Sequence, residues 1–486
     1  MPKLHERLAA LSSFTDALNP VLVKEARQAM RGRSFTGGFT MIQVFAVLIT
    51  VLCILSDSEA ENGLPLLGFL TLSLAAVLYV YLPIASFQSM AGEWDEGAID
   101  HLALSRLCPL RVLLGKLQWA AVQGLLFVLG FLPFLVLTFL MRGVDIGTVL
   151  WQVASVFVQS VTLCAVALAL GTFAERRALR PVCLMLLVFA CVNALRTTGT
   201  LAFLMNETGN VGLGALALPL LMLFTGQGIV AGFAILAGVA RLEHAHGNHS
   251  TALRVFTSVS LVVHVLILWL ISSPGSWMPG SLLLSGGSAT MPFTVIVMGS
   301  RSLLPISGPQ SILLCLAIPS AFFVTERSAL PVRSARGIPR NPVLAMLAAP
   351  WMPGAQRGVL FVGLHFWAAS SACAFLGFRA RGSSFWAFSS AYVIVAFLVI
   401  ASSLTMLFRR DESRRARLRV WILLIPILGS LCVPVIGAVI PWDWAAPAVY
   451  AVATLVLPLL AWHVVRGLAE VVRCSRRNRE AALTPP

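Results

Sequence analysis

Residues 64–116 read LPLLGFLTLSLAAVLYVYLPIASFQSMAGEWDEGAIDHLALSRLCPLRVLLGK. Positions 64–87 hold no charged side chain, and a helix over them is long enough to cross a hydrocarbon core of roughly 30 Å. Directly behind that run, Glu93, Asp95, Glu96 and Asp100 crowd into eight positions of a chain with only 20 acids among 486 residues. The first half of the stretch decides the fold. The second half raises the question of what acids are for beside a membrane span.

Apolar runs of this kind recur from end to end. Hydrophobic residues make up 58% of the chain and charged residues 11%, so it reads as an all-α, polytopic integral membrane protein. About twelve spans fit the pattern: 39–55, 64–87, 117–141, 148–173, 182–205, 212–240, 255–272, 309–324, 359–378, 385–408, 421–440 and 447–465. No segment between the runs reaches the usual domain minimum of about 50 residues, which excludes a soluble domain. The first run begins near Phe39, behind a charged segment too long for a signal-peptide n-region, so it is expected to remain as the first span. With a cytoplasmic N-terminus, only Arg142, Arg196, Arg301, Arg379 and Arg381 of the 35 Lys and Arg fall outside or at outer span ends. That is the positive-inside pattern, and it places both termini in the cytoplasm.

A net charge of +15 would point to nucleic acid in a soluble protein. Here the excess lies beside span ends, where it faces anionic lipid, and no nucleic acid is expected. The nine cysteines form no C-x-x-C pair and fall mostly in apolar runs, where Cys behaves as a small hydrophobe, so neither disulfides nor a metal site is expected. Within residues 273–308, MPFTVIVMGS is apolar but short. Counting it as a span would move the arginines of 325–358 outside, so 273–308 is assigned to an external or re-entrant segment, tolerable only where its backbone is buried in protein or lines a wet cavity.

Ahead of the first span, LNPVLVKEARQAMRGRSF (18–35) predicts a helix, with Asn19 as N-cap, Pro20 at the first helical position, and Leu18 and Val23 placed for a hydrophobic staple. Lys24, Arg27 and Arg31 form one basic stripe, while Leu22, Ala26, Ala29 and Met30 lie on another face, which suits a helix lying along the cytoplasmic membrane surface. Lipid anchor and functional part both remain open for it. In the opening stretch, a short helix starting near Glu93 sets Glu93, Glu96 and Asp100 on one face, with the acids at an N-terminus that favours them. Ile99, Leu102, Ala103 and Leu107 make an apolar flank, and Pro109 ends or kinks the helix before Gly115 and Lys116 lead into the third span. Acids suit an anionic leaflet poorly. Two uses stay open: docking of a protein partner, or packing within the chain.

Taken together, NPVLVKEARQAMRGRSF, two spans, and EWDEGAIDHLALSRLCPLRVLLGK resemble the membrane subunit of type-2 ATP-binding-cassette (ABC) exporters. Bacterial members carry an NP-x-x-x-KE-x-R helix and a loop of the type E-x-x-x-G-T-[LI]-[DE]-x-L-L-x-[ST]-P-[LI]-x(6)-GK. Asn19, Pro20, Lys24, Glu25 and Arg27 match the first motif; Glu93, Gly97, Ile99, Asp100, Leu102, Leu104, Pro109, Leu110, Gly115 and Lys116 match the second, and Glu96, at an unspecified position within it, is counted with the expected coupling residues. Ala98 stands where Thr is usual, and SRLCPL holds extra residues before Pro109.

The resemblance covers residues 19 to about 254. It implies a cytoplasmic segment, 1–38, with an interfacial helix, and a six-span permease unit, 39–254, whose coupling helix at 92–116 sits in a cleft of a separate ABC ATPase. ATP and Mg would be bound on that partner. The chain itself would hold no cofactor, perform no bond chemistry, and move an unidentified substrate across the bacterial inner membrane by alternating access. The second permease would be another copy, a sister chain, or residues 255–486. In that region Asn341-Pro342-Val343-Leu344 repeats the NPVL of 19–22 ahead of a span pair and a charged loop, 409–419, which makes it a candidate divergent half-repeat. No G-x-x-x-x-G-K-[ST] occurs in the chain, so energy must come from elsewhere. LSGGS, 284–288, imitates an ATPase signature but has no nucleotide-binding domain around it and reads as coincidence.

Glu243, His244, His246 and His249 have a spacing able to hold Zn or Cu, but a polar loop accounts for them, and no metal is expected. His264 and His365 fall within spans, where a lone His is accounted for by an interhelical hydrogen bond. Two other function classes were weighed. A secondary transporter needs acids near the midplane of several spans, and none of the acids is there. A membrane-embedded lipid-modifying transferase needs clustered catalytic groups, and His264 and His365 stand apart in the sequence.

Overall fold

A computed structural model of the chain describes residues 19–56, 63–97, 108–140, 144–208, 213–243, 250–272, 335–379 and 442–483, apart from Gly32 and Arg176. Ile99, Leu316, Pro319, Ser320, Phe322, Phe323, Val324 and Glu326 are described singly. All regular structure among these residues is helical. The chain divides into two compact units, Met1–Leu242 and Glu243–Pro486. The division falls at the end of a helix.

Unit 1 holds α1 (Pro20–Arg31), α2 (Arg33–Ser56), α3 (Gly63–Asp95), α4 (Pro109–Leu140), α5 (Ile146–Phe173), α6 (Arg180–Thr208) and α7 (Leu213–Leu242). Among the described residues, six helices are long and apolar enough to cross a membrane: Phe35–Leu52, Pro65–Asp95, Pro109–Leu140, Ile146–Phe173, Arg177–Arg196 and Phe224–Leu242. They correspond to the first six spans expected, with one correction. The second runs on to Asp95 and the third begins at Pro109, so the opening stretch contributes helix to both.

The middle of the bundle is α5, which packs against α3, α4, α6 and α7. Its Ala165, Ala167, Ala169 and Gly171 are buried, as expected where helices in lipid associate through small residues rather than through hydrophobic exclusion of water. By contrast, α2 exposes Met41, Phe45, Leu48, Leu52 and Leu55, an apolar surface suited to acyl chains. Tyr79, halfway along α3, places its hydroxyl 3.0 Å from Thr198 Oγ1 and donates to Gln159 Oε1 at 3.3 Å. Such pairing is required where no water reaches, since an unsatisfied polar group in hydrocarbon is costly.

Unit 2 holds α8 (Thr251–Ser272), α9 (Pro342–Ala348), α10 (Ala355–Arg379) and α11 (Trp442–Leu483), with a 3₁₀ turn, Ala349–Trp351, after α9. The expected spans 255–272, 359–378 and 447–465 fall within α8, α10 and α11. Spans 385–408 and 421–440, the segment 273–308 with its LSGGS, and His244, His246 and His249 lie outside the described residues, and 309–324 is described only at single positions. The echoed NPVL recurs as geometry: Asn19 Oδ1 accepts from Val21 N at 3.1 Å and Asn341 Oδ1 from Val343 N at 3.0 Å, each capping a helix whose first residue is proline. This is the N-cap bond that satisfies an otherwise orphaned amide, followed by the residue that has no amide to lose.

Candidate functional site

The helix expected to begin near Glu93 does not form there. Instead Glu93, Trp94 and Asp95 are the last three residues of α3, and Glu96 and Gly97 form the turn that ends it. Gly97 has φ +65°, the left-handed conformation that terminates helices and that glycine adopts without a Cβ penalty. Pro109, expected to end or kink a helix ahead of the third span, is the first residue of α4, where its missing amide costs nothing. Glu93 and Glu96 are therefore separated by the end of α3; Ala98, Asp100, Leu102, Ala103, Leu104 and Leu107 lie outside the described residues, as does Leu18 of the expected staple. Ile99 packs beside the buried cluster of Met90, Leu113, Ala165 and Ala234.

Three consecutive side chains leave the end of α3 toward three different places. Glu93 turns to α1 and α4: Lys116 Nζ lies 2.9 Å from Glu93 Oε1 and 2.5 Å from Glu25 Oε1. The same ammonium donates to Ser89 Oγ at 2.7 Å, and Ser89 in turn donates to Glu25 at 3.3 Å. Trp94 Nε1 donates to the Gly171 carbonyl of α5 at 3.2 Å. Asp95 receives Arg180, the first residue of α6, through two bonds of 2.6 and 2.9 Å. A carboxylate at a helix C-terminus faces the negative end of the dipole, so Glu93 and Asp95 both need the cations they have.

The two ion clusters differ in solvent access. The Lys116 side chain is 3% exposed, Glu93 8% and Glu25 13%, whereas Asp95 is 41% exposed. Lysine has three N–H bonds to give, and Glu25, Glu93 and Ser89 take all three. Two carboxylates against one buried ammonium leave a net negative charge, which Lys24, 61% exposed and 3.8 Å from Glu93, offsets from the solvent side. Gly115 is where α1 and α4 approach: a Cβ there would stand 2.7 Å from Val21 Cβ and 2.9 Å from Asn19 Nδ2. Asn19 adds a bond from Nδ2 to the Arg111 carbonyl at 2.7 Å, so one side chain caps α1 and holds α4. Pro20, Arg27 and Glu96 are exposed.

All of these contacts sit at one end of the unit, where α3, α5 and α7 finish and α4 and α6 begin. Arg241, near the end of α7, pairs with Glu175 just beyond α5 at the same end. Spacing along the chain gave no sign that Glu25 and Ser89 share a lysine with Glu93; only the shortage of acids singled out the neighbourhood.

Unit 2 has a buried network of its own that the sequence reading missed. Arg254, fully buried, donates to the carbonyls of Pro350, Met352 and Gly354 and to Glu326 Oε2 at 2.8 Å. Arg357, equally buried, donates to the Pro353 carbonyl and to Glu470 Oε2 at 2.9 Å. These guanidiniums stitch the turn before α10 to α8 and α11. His365 Nε2 lies 2.7 Å from Ser258 Oγ of α8 and its Nδ1 2.8 Å from the Phe361 carbonyl. The Ser258–His365 pair is an interhelical hydrogen bond, and Ser258 Oγ also donates to the Arg254 carbonyl at 3.0 Å when His365 Nε2 carries the proton. His264 lies on the described part of α8.

No protein-family model, curated protein or solved structure matches this chain.

Proposed function

We propose that this chain is the membrane subunit of an ABC-type exporter, with about twelve spans, both termini in the cytoplasm of a bacterium, and the segment 92–116 as its contact with a separate ATPase. The reading rests on the two matched stretches and is supported by one observation above all. Glu25 of the first stretch and Glu93 and Lys116 of the second form a single buried ion cluster, so two motifs distant in sequence are one object in space. A loop that receives force is useful only if its ends are fastened to the spans, and Glu93, Trp94, Asp95 and Lys116 fasten both. ATP-driven closure of the partner then tilts α3 and α4 as a body and moves cargo by alternating access. ATP and Mg stay on the partner, and a second permease unit is supplied by another copy, a sister chain or residues 255–486.

The test is purification of the intact chain from native membrane in mild detergent, with mass spectrometry of what accompanies it. A stoichiometric ABC ATPase, lost on Glu96→Lys with Asp100→Lys while the chain stays inserted, is the expected result. Glu93→Lys is the wrong probe, because it sets a second ammonium against buried Lys116. Consistent absence of an ATPase overturns the reading in favour of a secondary transporter or a lipid-modifying transferase, with His264 and His365 the next positions to substitute. A thiol label on Ser285→Cys reports the topology: reaction from the periplasmic side fits twelve spans, and reaction from the cytoplasm alone does not.

A further inference from the structure

In unit 2, α9 is a helix with almost nothing but apolar surface. Val343 is 62% exposed, Leu344 55% and Leu347 65%, with Met346 also exposed. Only Ala345 is turned inward, where it forms a small buried cluster with Ile338, Ala349 and Val471 of α11. Two further bonds hold this segment to α11: Ser475 Oγ donates to the Pro339 carbonyl at 2.7 Å, and Asn478 Nδ2 to the Ala335 carbonyl at 2.9 Å. The apolar side chains are thus held out on a braced support.

Their depth can be read from α11. Trp462 is half exposed, and the Arg466 guanidinium lies over its ring at 5.1 Å. Exposed Trp and Arg together mark the level where hydrocarbon gives way to headgroups. Val471, which carries Ala345, stands five residues beyond Arg466, about 8 Å along the helix, at the outer edge of the roughly 5–8 Å headgroup layer. Arg473 stands within about 3 Å of that level along α11, and Arg476, Arg477 and Arg479 follow over the next two turns, about 5–9 Å beyond Arg473, within reach of long side chains that bend back toward headgroups. All four are exposed, and the segment leading to α9 adds exposed Arg336 and Arg340. The acids nearby are Glu470, paired with Arg357, and exposed Glu480. Cations outnumber acids heavily, beside apolar side chains at headgroup depth.

We propose that α9 and the end of α11 form a binding surface for acidic phospholipid, in which Val343, Leu344 and Leu347 enter the acyl boundary of one leaflet and the arginines hold its phosphates. Charge complementarity selects the occupant: a neutral protein face has no use for six arginines, whereas an anionic leaflet attracts each of them. The contrast with α1 sharpens the point. The other NPVL helix uses Glu25 to bind Lys116 and turns Lys24 and Arg27 outward, whereas α9 has no charged residue and turns leucines outward.

The experiment places a photoreactive diazirine amino acid at position 344 of the full chain, reconstituted in nanodiscs of equal phosphatidylglycerol and phosphatidylcholine, and weighs the products after illumination. The expected product is a phospholipid adduct favouring phosphatidylglycerol by roughly fivefold, falling toward equal yields when Arg473, Arg476, Arg477 and Arg479 are all changed to Gln. Protein crosslinks in place of lipid adducts overturn the proposal by showing that another chain covers the face. Equal yields of the two lipids in the unsubstituted chain, or the absence of any adduct, likewise overturn the proposal. Position 347 carries the same readings if the chain labelled at 344 does not insert.

Discussion

Lys116 has three hydrogens and three acceptors, and the balance explains why its neighbours differ so much in what their loss should do. Lys116→Met leaves Glu25 and Glu93 with only the solvent-exposed Lys24 as counter-ion, a change expected to cost about 3–5 kcal/mol and to be seen as a large drop in the thermal unfolding temperature of the purified chain. Asp95→Asn removes a bidentate partner of Arg180 that is 41% exposed, where solvent screens the pair, and the expected drop is much the smaller of the two. A drop for Asp95→Asn as large as that for Lys116→Met would contradict the assignment of the buried cluster as the stronger tie. Gly115→Val drives two methyl groups into Val21 and Asn19; the expected cost is about 1–3 kcal/mol, with α1 becoming more accessible to protease.

At the level of elements, the decisive event is that α3 stops at Asp95, in a turn closed by Gly97, and α4 starts at Pro109. Gly97→Ala forces a Cβ into left-handed backbone and should cost about 1–2 kcal/mol, with faster hydrogen exchange confined to the last turn of α3. The sequence made the six spans of unit 1 legible, because long apolar runs have few alternatives, and it made the capped start of α1 legible through Asn19-Pro20. It misled at the acids. Their spacing fits one helical face, but Glu93 and Asp95 end a helix and have partners on other helices, and periodicity carries no information about a partner that lies across the bundle. Arg254 and Arg357 stayed hidden for a related reason: an arginine beside a span reads as a topology signal, and only packing reveals that it is buried against carbonyls.

Across the molecule, the two compact units each carry a separate buried charge network, Lys116 with Glu25 and Glu93 in one and Arg254 and Arg357 with Glu326 and Glu470 in the other. They share no residue, so the effects of Lys116→Met and Arg357→Met should add within about 0.5 kcal/mol in the double variant. Lys116→Met combined with Glu93→Gln should fall well short of additivity, since the second change removes a carboxylate that the first had stranded. Equal additivity in both pairs, measured by thermal unfolding, would mean that Lys116 and Glu93 act independently.

The fan of contacts from Glu93, Trp94 and Asp95 has a mechanical meaning. One turn of helix is pinned to α1 and α4, to α5 and to α6 by side chains next to one another in the chain. There is no slack in such a joint: rotating that turn by even a few degrees either drags the ends of four neighbouring helices along or snaps an ion contact in a dry setting. Displacement arriving at this corner is therefore shared out at once, and the bundle end behaves as a rigid wrist rather than a row of independent fingers.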